Sequence, residues 1–521
     1  MTGKLKDYLM SENRQLAKNL SWSLIATTLS YIVSFILTPY ITKTLGMDAY
    51  GFISLSTTCT SYIDIITVAL SAFATRYIAI EYYNGRLEKA RSYFNSVFVA
   101  YMVLLAIMSI PVIVAVVKID SLLYIPDELL ADVKILFLLV YVNYCINIFG
   151  SLFNSLIFIK NKVDISSRNK GISTILYAFL IIGAMLSVGL KLYSIAIAHM
   201  GSALLYLIAN IYSSRRLLPE ITINIKYYSR SRIFDVLSSG IWNSLNNIGA
   251  ILNNGLDLVV TNRMLNNEIM GQVSVGKQLS NIFNAISQMV CQAFQPKQLE
   301  YYSKGDIDNL IDSLVKSIKT SGLVGCTIYG SYVLVGKQFL QLWIGDNYEY
   351  IYLLGLIALG GDIMQISNRP LFYVFTLTNK LKINCWITLL TGLLNFSFMF
   401  VLLIITEWGG YVVVGSTVVA YVLTIWCISL QAKRYLKLRR NPFNYFIIKN
   451  YIVTLILIGV GLLFSKCIIV KGWISLILFA VLSGIVTFSI CLIIILNKNE
   501  RNILFTRILT KLRKMKGTTN D

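Results

Sequence analysis

Asn243, Asn246, Asn247, Asn253, Asn254 and Asp257 recur at spacings of three, four and seven within one otherwise apolar stretch, and Lys277, Asn281, Asn284, Gln288, Gln292 and Gln295 at steps of three and four in the next. Such spacing aligns each set along one face of a helix. An amide both donates and accepts hydrogen bonds, so rows of amides suit a hydroxyl-rich ligand. Two earlier stretches carry weaker stripes: Ser23, Thr27, Ser30, Ser34 and Thr38, then Ser54, Thr57, Ser61, Asp64 and Ser71. Charges occupy similar settings. Lys277, Arg76 and Arg369 are candidates to hold phosphate oxygens through charge-assisted hydrogen bonds. Asp64, Asp257 and Asp362 are candidates to bind a coupling H⁺ or Na⁺. The competing role for these charges is mutual pairing or snorkelling to the interface, and for the small hydroxyls it is helix–helix contact. His199, the one histidine, reads as a packed residue. No GxxxxGK[ST], HExxH or GxSxG occurs, and the eight cysteines form no CxxC pair. ATP hydrolysis, a metal centre, a disulfide framework and a catalytic residue are therefore not expected, and no cofactor is expected beyond a coupling ion.

The elements that must position these residues are membrane spans. Of 521 residues, 56% are hydrophobic and 14% charged, against about a quarter charged in a soluble domain. Fourteen apolar runs long enough to cross about 30 Å of hydrocarbon can be drawn. The stripes fall in spans 1 (19–41), 2 (49–73), 7 (236–260) and 8 (271–296), and Asp362 and Arg369 in span 10 (351–374). Pro39, Pro111, Pro296 and Pro370 lie in or beside spans and are candidate kinks. The net charge of +21 sits in the loops, so it reads as topology control rather than nucleic-acid binding. With an even span count, 36 of the 46 Lys and Arg fall on the side of the termini and 8 on the other, which predicts cytoplasmic termini. The first 20 residues lack the pattern of a cleaved signal, so span 1 is expected to remain in the mature chain.

The chain repeats itself. Lys43, Leu45, Asp48, Gly51 and Ser54 return 220 residues later as Arg263, Leu265, Glu268, Gly271 and Ser274. Glu81-Tyr82-Tyr83 with Gly85 returns as Glu300-Tyr301-Tyr302 with Gly305, and Asn161-Lys162 as Asn379-Lys380. Copies starting six spans apart share one orientation, so they are parallel repeats. The expected organisation is an all-α integral membrane protein: an N-lobe (1–213), a cytoplasmic linker (214–235), a C-lobe (236–432), an appended span pair (433–496) and a basic amphipathic tail (497–521) on the inner membrane surface.

A polar-faced first span, the turn Leu45-Gly46 with Asp48 and Tyr50-Gly51-Phe52, the loop EYYNGRLEKA and six plus six plus two spans together carry a resemblance. The chain resembles the polysaccharide-biosynthesis branch of the multidrug/oligosaccharidyl-lipid/polysaccharide exporter superfamily. The resemblance implies a V-shaped, two-lobed, alternating-access transporter in the bacterial cytoplasmic membrane, with spans 1, 2, 7 and 8 lining a central cavity. It implies flipping of undecaprenyl-diphosphate-linked oligosaccharide for O-antigen, capsule or exopolysaccharide, by a chain expected to act as a monomer. Membrane lipids, a polysaccharide polymerase and glycosyltransferases would be its partners. The alternatives are a cation-coupled multidrug exporter or a peptidoglycan-precursor flippase of the same superfamily. A membrane-embedded polymerase or ligase is disfavoured by the short outer loops, which offer only Asp120, Asp127, Glu128, Asp132, Asp346 and Glu349 as acids.

Overall fold

A computed structural model describes residues 2–187, 189–345, 348–378, 380–464, 472–498 and 500–502. Among these the chain is helical throughout, with no strand. Eleven helices are long and apolar enough to cross a membrane. The amide-bearing helices and one neighbour complete the set of long helices, and their polar faces hold down the mean hydropathy of the first two. The amphipathic tail expected over 497–521 lies almost wholly outside the described residues.

The chain divides into two compact units, 1–274 and 275–521. The first holds α1 (Thr2–Leu45), α2 (Met47–Tyr83), α3 (Leu87–Val117), the short α4 (Ile119–Leu122), α5 (Asp127–Ile159), α6 (Val163–Ser187), α7 (Leu192–Leu217), α8 (Arg230–Asn254), α9 (Asp257–Met264) and the start of α10 (Asn267–Ser303). The second holds the rest of α10, α11 (Ile307–Trp343), α12 (Tyr348–Leu377), α13 (Leu381–Ile405), α14 (Gly410–Tyr435), α15 (Phe443–Phe464) and α16 (Trp473–Ile495). Pro39, Pro111, Pro296 and Pro370 all lie inside helices, in α1, α3, α10 and α12.

The duplication is visible in packing within each unit. In the first, α5 packs on α7, α6 on α7 and α3 on α5; in the second, α12 packs on α14, α13 on α14 and α11 on α12. The first core joins Phe94, Tyr101, Leu152 and Leu156 of α3 and α5 to Leu70 and Ile78 of α2, and a second joins Leu37 and Ile41 to Ile181 and Ile195. In the other unit Cys326, Tyr329 and Val333 of α11 pack with Ile363, Leu457 and Cys491.

The repeated sequence turns are repeated backbone turns. Arg86 N–H donates to Glu81 O and Gly85 N–H to Tyr82 O; Asp306 N–H donates to Tyr301 O and Gly305 N–H to Tyr302 O. This double closure of a helix end needs a left-handed residue, and Gly85 and Gly305 sit at φ 72° and 70°. Glu81 pairs with Arg86 at 3.6 Å, and Glu300 with Lys297 and Lys304 at 2.8 and 2.7 Å. The hydrogen bonds from Lys297 and Lys304 pull the Glu300 carboxyl down to about 2. At the other repeated turn, Tyr50 N–H donates to Gly46 O and Met270 N–H to Asn266 O, again 220 residues apart.

The pair α15–α16 is docked on α11 through glycine. A Cβ at Gly330 would lie 2.7 Å from Thr487 Cγ2 and 3.1 Å from Leu457 Cδ2, so both appended helices meet α11 at that point. Gly330→Leu is expected to cost about 1–3 kcal/mol by overpacking. Gly415→Ala, with no atom within 4 Å of the added carbon, should leave the melting temperature of the purified full chain near wild type. Equal melting temperatures for the two variants would contradict this packing.

Candidate functional site

Span 7 departs from the sequence expectation. The helix stops at Asn254, Gly255 caps it, and a new helix, α9, begins at Asp257. Asp257 therefore does not continue the α8 amide face; it sits buried in the first turn of α9. The break is stabilised from outside the helix, because the Tyr62 hydroxyl donates to Gly255 O at 2.7 Å. A carbonyl freed from a helix within a membrane needs such a partner.

Along α8, Asn246 and Asn247 are half-buried and Asn254 is exposed. Asn253 is buried and donates to Gly249 O at 2.9 Å, so its amide serves its own helix. The Asn243 side chain lies outside the described residues. On α10, Asn281, Gln288 and Gln292 are exposed while Lys277 is half-buried and engaged. Exposed amides on a helix of a membrane chain cannot face lipid without cost.

Three candidates of the second unit are brought together. Asn284 Nδ2 donates to Asp362 Oδ1 at 3.0 Å, and Arg369 Nη2 donates to Asn284 Oδ1 at 2.7 Å. One amide thus bridges a buried carboxylate and a half-buried guanidinium. Asp362 Oδ2 is buried with no hydrogen bond among the described residues. Arg369 spends one Nη2 donor on this amide, and its guanidinium carries further N–H donors.

In the first unit Asp64 Oδ1 accepts from the Tyr144 hydroxyl at 2.7 Å and from Thr67 at 3.3 Å, and these two hydroxyls lie 2.6 Å apart. Tyr144 belongs to a stripe on α5 that the sequence reading passed over: Asn143, Asn147, Ser151, Asn154 and Ser155. Asn147 donates to Asn143 O and Oδ1 at 2.9 and 3.0 Å. Its steps of four and three were legible in the sequence; the interleaved aromatic and aliphatic residues masked them. Arg76, on the extension of α2 beyond the predicted span, is exposed, and no described residue bonds its guanidinium. His199 stacks on Tyr177 with ring centroids 4.0 Å apart, which makes it a packed residue.

The family model for the polysaccharide biosynthesis protein matches residues 16–296, more than half of the chain. This chain belongs to that family. It is 28% identical over 377 residues, 72% of this chain and 75% of the relative, to the "uncharacterized membrane protein EpsK" of Bacillus subtilis (strain 168). Its fold is similar to that of the lipid II flippase MurJ in an inward closed conformation, at TM-score 0.69 and 13% identity, covering 94% of this chain and 99% of that one. It is also similar to an inward-facing MATE-family multidrug resistance transporter of the MOP superfamily, at TM-score 0.64 and 12% identity, covering 80% of this chain and all of that one. The protein is a multi-pass membrane member of the polysaccharide biosynthesis family with the transporter fold of the MOP superfamily.

Proposed function

We propose that this protein flips an undecaprenyl-diphosphate-linked oligosaccharide across the bacterial cytoplasmic membrane by alternating access, for the synthesis of a surface polysaccharide such as O-antigen, capsule or exopolysaccharide. The observation that carries the reading is the exposed amide face of α10, Asn281, Gln288 and Gln292, in a chain of a polysaccharide-biosynthesis family. Amides match sugar hydroxyls, and a cation nearby would hold the diphosphate. Arg76 is exposed and unbonded by any described residue, and Lys277 and Arg369 are the other candidate cations. Asp362, Asp64 and Asp257 are the groups proposed to take a coupling H⁺ or Na⁺. The reading includes cytoplasmic termini, fourteen spans with the lobe boundaries given above, a monomer, and delivery to a polymerase after assembly by glycosyltransferases.

A peptidoglycan-precursor flippase is the second reading. It is favoured by the extent of the fold likeness: the MurJ structure covers 94% of this chain, the MATE structure 80%. Deletion of the gene in its native strain separates the readings. Loss of surface polymer with accumulation of full-length lipid-linked repeat units supports the oligosaccharide flippase, and loss of viability with accumulated peptidoglycan precursor supports the second reading. Unchanged polymer with new sensitivity to cationic dyes would overturn both in favour of a drug exporter. In the first case Arg76→Ala and Lys277→Ala, added back separately, are expected to complement poorly.

A further inference from the structure

Between α2, α3 and α5 of the first unit lies a cavity of about 300 Å³, lined by Ser71, Ala74, Thr75, Tyr101, Ser151, Asn154, Ser155 and their apolar neighbours Leu152 and Phe158. Ligand pockets run from roughly 300 to 1,000 Å³, so this one has room for a small ring and not for a chain. Its polar groups are arranged, not scattered. Thr75 and Ser155 hydroxyls meet at 2.6 Å across the α2–α5 seam, and Ser155 reaches back to Ser151 O at 3.3 Å. The Asn154 amide is half-buried at the wall, and no described residue hydrogen-bonds it. It therefore presents two donors and an acceptor to whatever fills the space. Phe158, 57% exposed, adds an aromatic ring, and Arg76 follows Thr75 directly on α2.

A polar group left without a partner in lipid costs several kcal/mol, and of this lining the Asn154 amide is such a group, while the Ser71, Ser151 and Ser155 hydroxyls donate to Val68 O, Ile148 O and Ser151 O and keep their lone pairs for accepting. A cavity facing only water would not need an aromatic ring. Hydroxyls, an amide and, four residues along the same face of α5 from that amide, an aromatic ring around one cavity are the complement of a pyranose, which has equatorial hydroxyls at its rim and C–H groups on its face. We infer that the α2–α3–α5 cavity is a binding subsite for a single sugar ring. The inference rests on the flippase reading for its meaning, because the ring would then be one residue of the lipid-linked oligosaccharide. It does not need the reading for its test.

The test uses full-length protein in lipid nanodiscs and the methyl glycosides of neutral, N-acetylated and acidic hexoses, followed by saturation-transfer difference NMR. At least one glycoside is expected to receive saturation from the wild type. Asn154→Leu, which removes the free amide and fills the space, is expected to abolish the signal, and Ser187→Ala, at the exposed end of α6, to leave it unchanged. Should Asn154→Leu fail to fold by size exclusion, Asn154→Ala combined with Ser151→Ala serves in its place. No binding by any glycoside, or binding undiminished in the cavity variants, overturns the inference. Complementation separates the two failures. If the cavity variants restore polymer and bind glycoside like wild type, the subsite falls while the flippase stands. If gene deletion leaves polymer unchanged yet the glycoside signal vanishes in Asn154→Leu, the flippase reading falls and the subsite stands.

Discussion

Gly271→Ala is expected to abolish polysaccharide export and to destabilise the purified protein by about 3 kcal/mol, the upper end for overpacking a tight contact. A Cβ added at Gly271 would lie 2.2 Å from Met47 O and 2.6 Å from Met47 Cγ. The first of these is a main-chain atom that cannot rotate away, so two helix ends must separate. The reciprocal change is milder. A Cβ at Gly51 would meet Met270 Cε at 2.7 Å, the end of a flexible side chain, and Gly271 N at 3.0 Å. The expected order of loss is therefore Gly271→Ala, then Gly51→Ala, then Gly415→Ala, which should be close to neutral. These two glycines are repeat equivalents, so the two copies of one turn touch each other through their copies of one residue. The same end of the first unit is clasped elsewhere. Asn262 exchanges hydrogen bonds of 2.9 Å with the N–H and C=O of Tyr124, and Arg263 Nη2 donates to Ser121 O at 2.7 Å. In the proposed mechanism this contact lies on the outer side and must part and re-form in each cycle, which is why one methyl group should stop transport. A Gly271→Ala protein with wild-type melting temperature and normal export would remove the contact from the mechanism.

The sequence announced the turn without announcing the contact. Offsets of 220 residues identify Gly51 and Gly271 as equivalents, and the need for glycine at Gly85 and Gly305 follows from the turn itself, a local property. That Gly51 and Gly271 meet is a property of packing between distant helices, which periodicity does not record. The same division explains the site. Helical spacing correctly put Asn281, Asn284 and Gln288 along one helix, since that depends on 3.6 residues per turn alone. It failed at Asp257, because the helix breaks at Gly255 and the freed carbonyl is taken up by Tyr62, a residue 193 positions earlier. The α5 stripe was missed for a different reason. Single amides separated by Tyr144, Ile146, Phe149 and Phe153 leave the span's mean hydropathy high, at 1.9 for its best window, so the span reads as an ordinary one.

Arg369→Leu and Asp362→Leu are each expected to destabilise the protein, and combining them is expected to restore stability without restoring transport. Asp362 is 3% exposed and its charge is answered, through Asn284, by Arg369. Removing one member of a directly paired, buried couple costs about 3–5 kcal/mol and removing both is often near neutral; here an amide separates the charges and Arg369 is half-buried, so each single change should cost less than that. The two singles should differ. Arg369→Leu strands the fully enclosed carboxylate, and Asp362→Leu strands a half-buried guanidinium that can turn toward water, so the arginine variant should be the less stable. Asn284→Leu breaks both hydrogen bonds while keeping both charges and should fall near the worse single variant. Stability alone would be satisfied by the double leucine. Transport would not, if a proton or Na⁺ at the unpaired Asp362 Oδ2 is what releases Arg369 from Asn284 toward the diphosphate. The decisive measurement is export of polymer beside the melting temperature for the four proteins. A double variant that is both stable and active would show that these three residues only hold α10 to α12. A stable but inactive one would put Asp362 and Arg369 in the transport cycle, with Asn284 as the group that couples them.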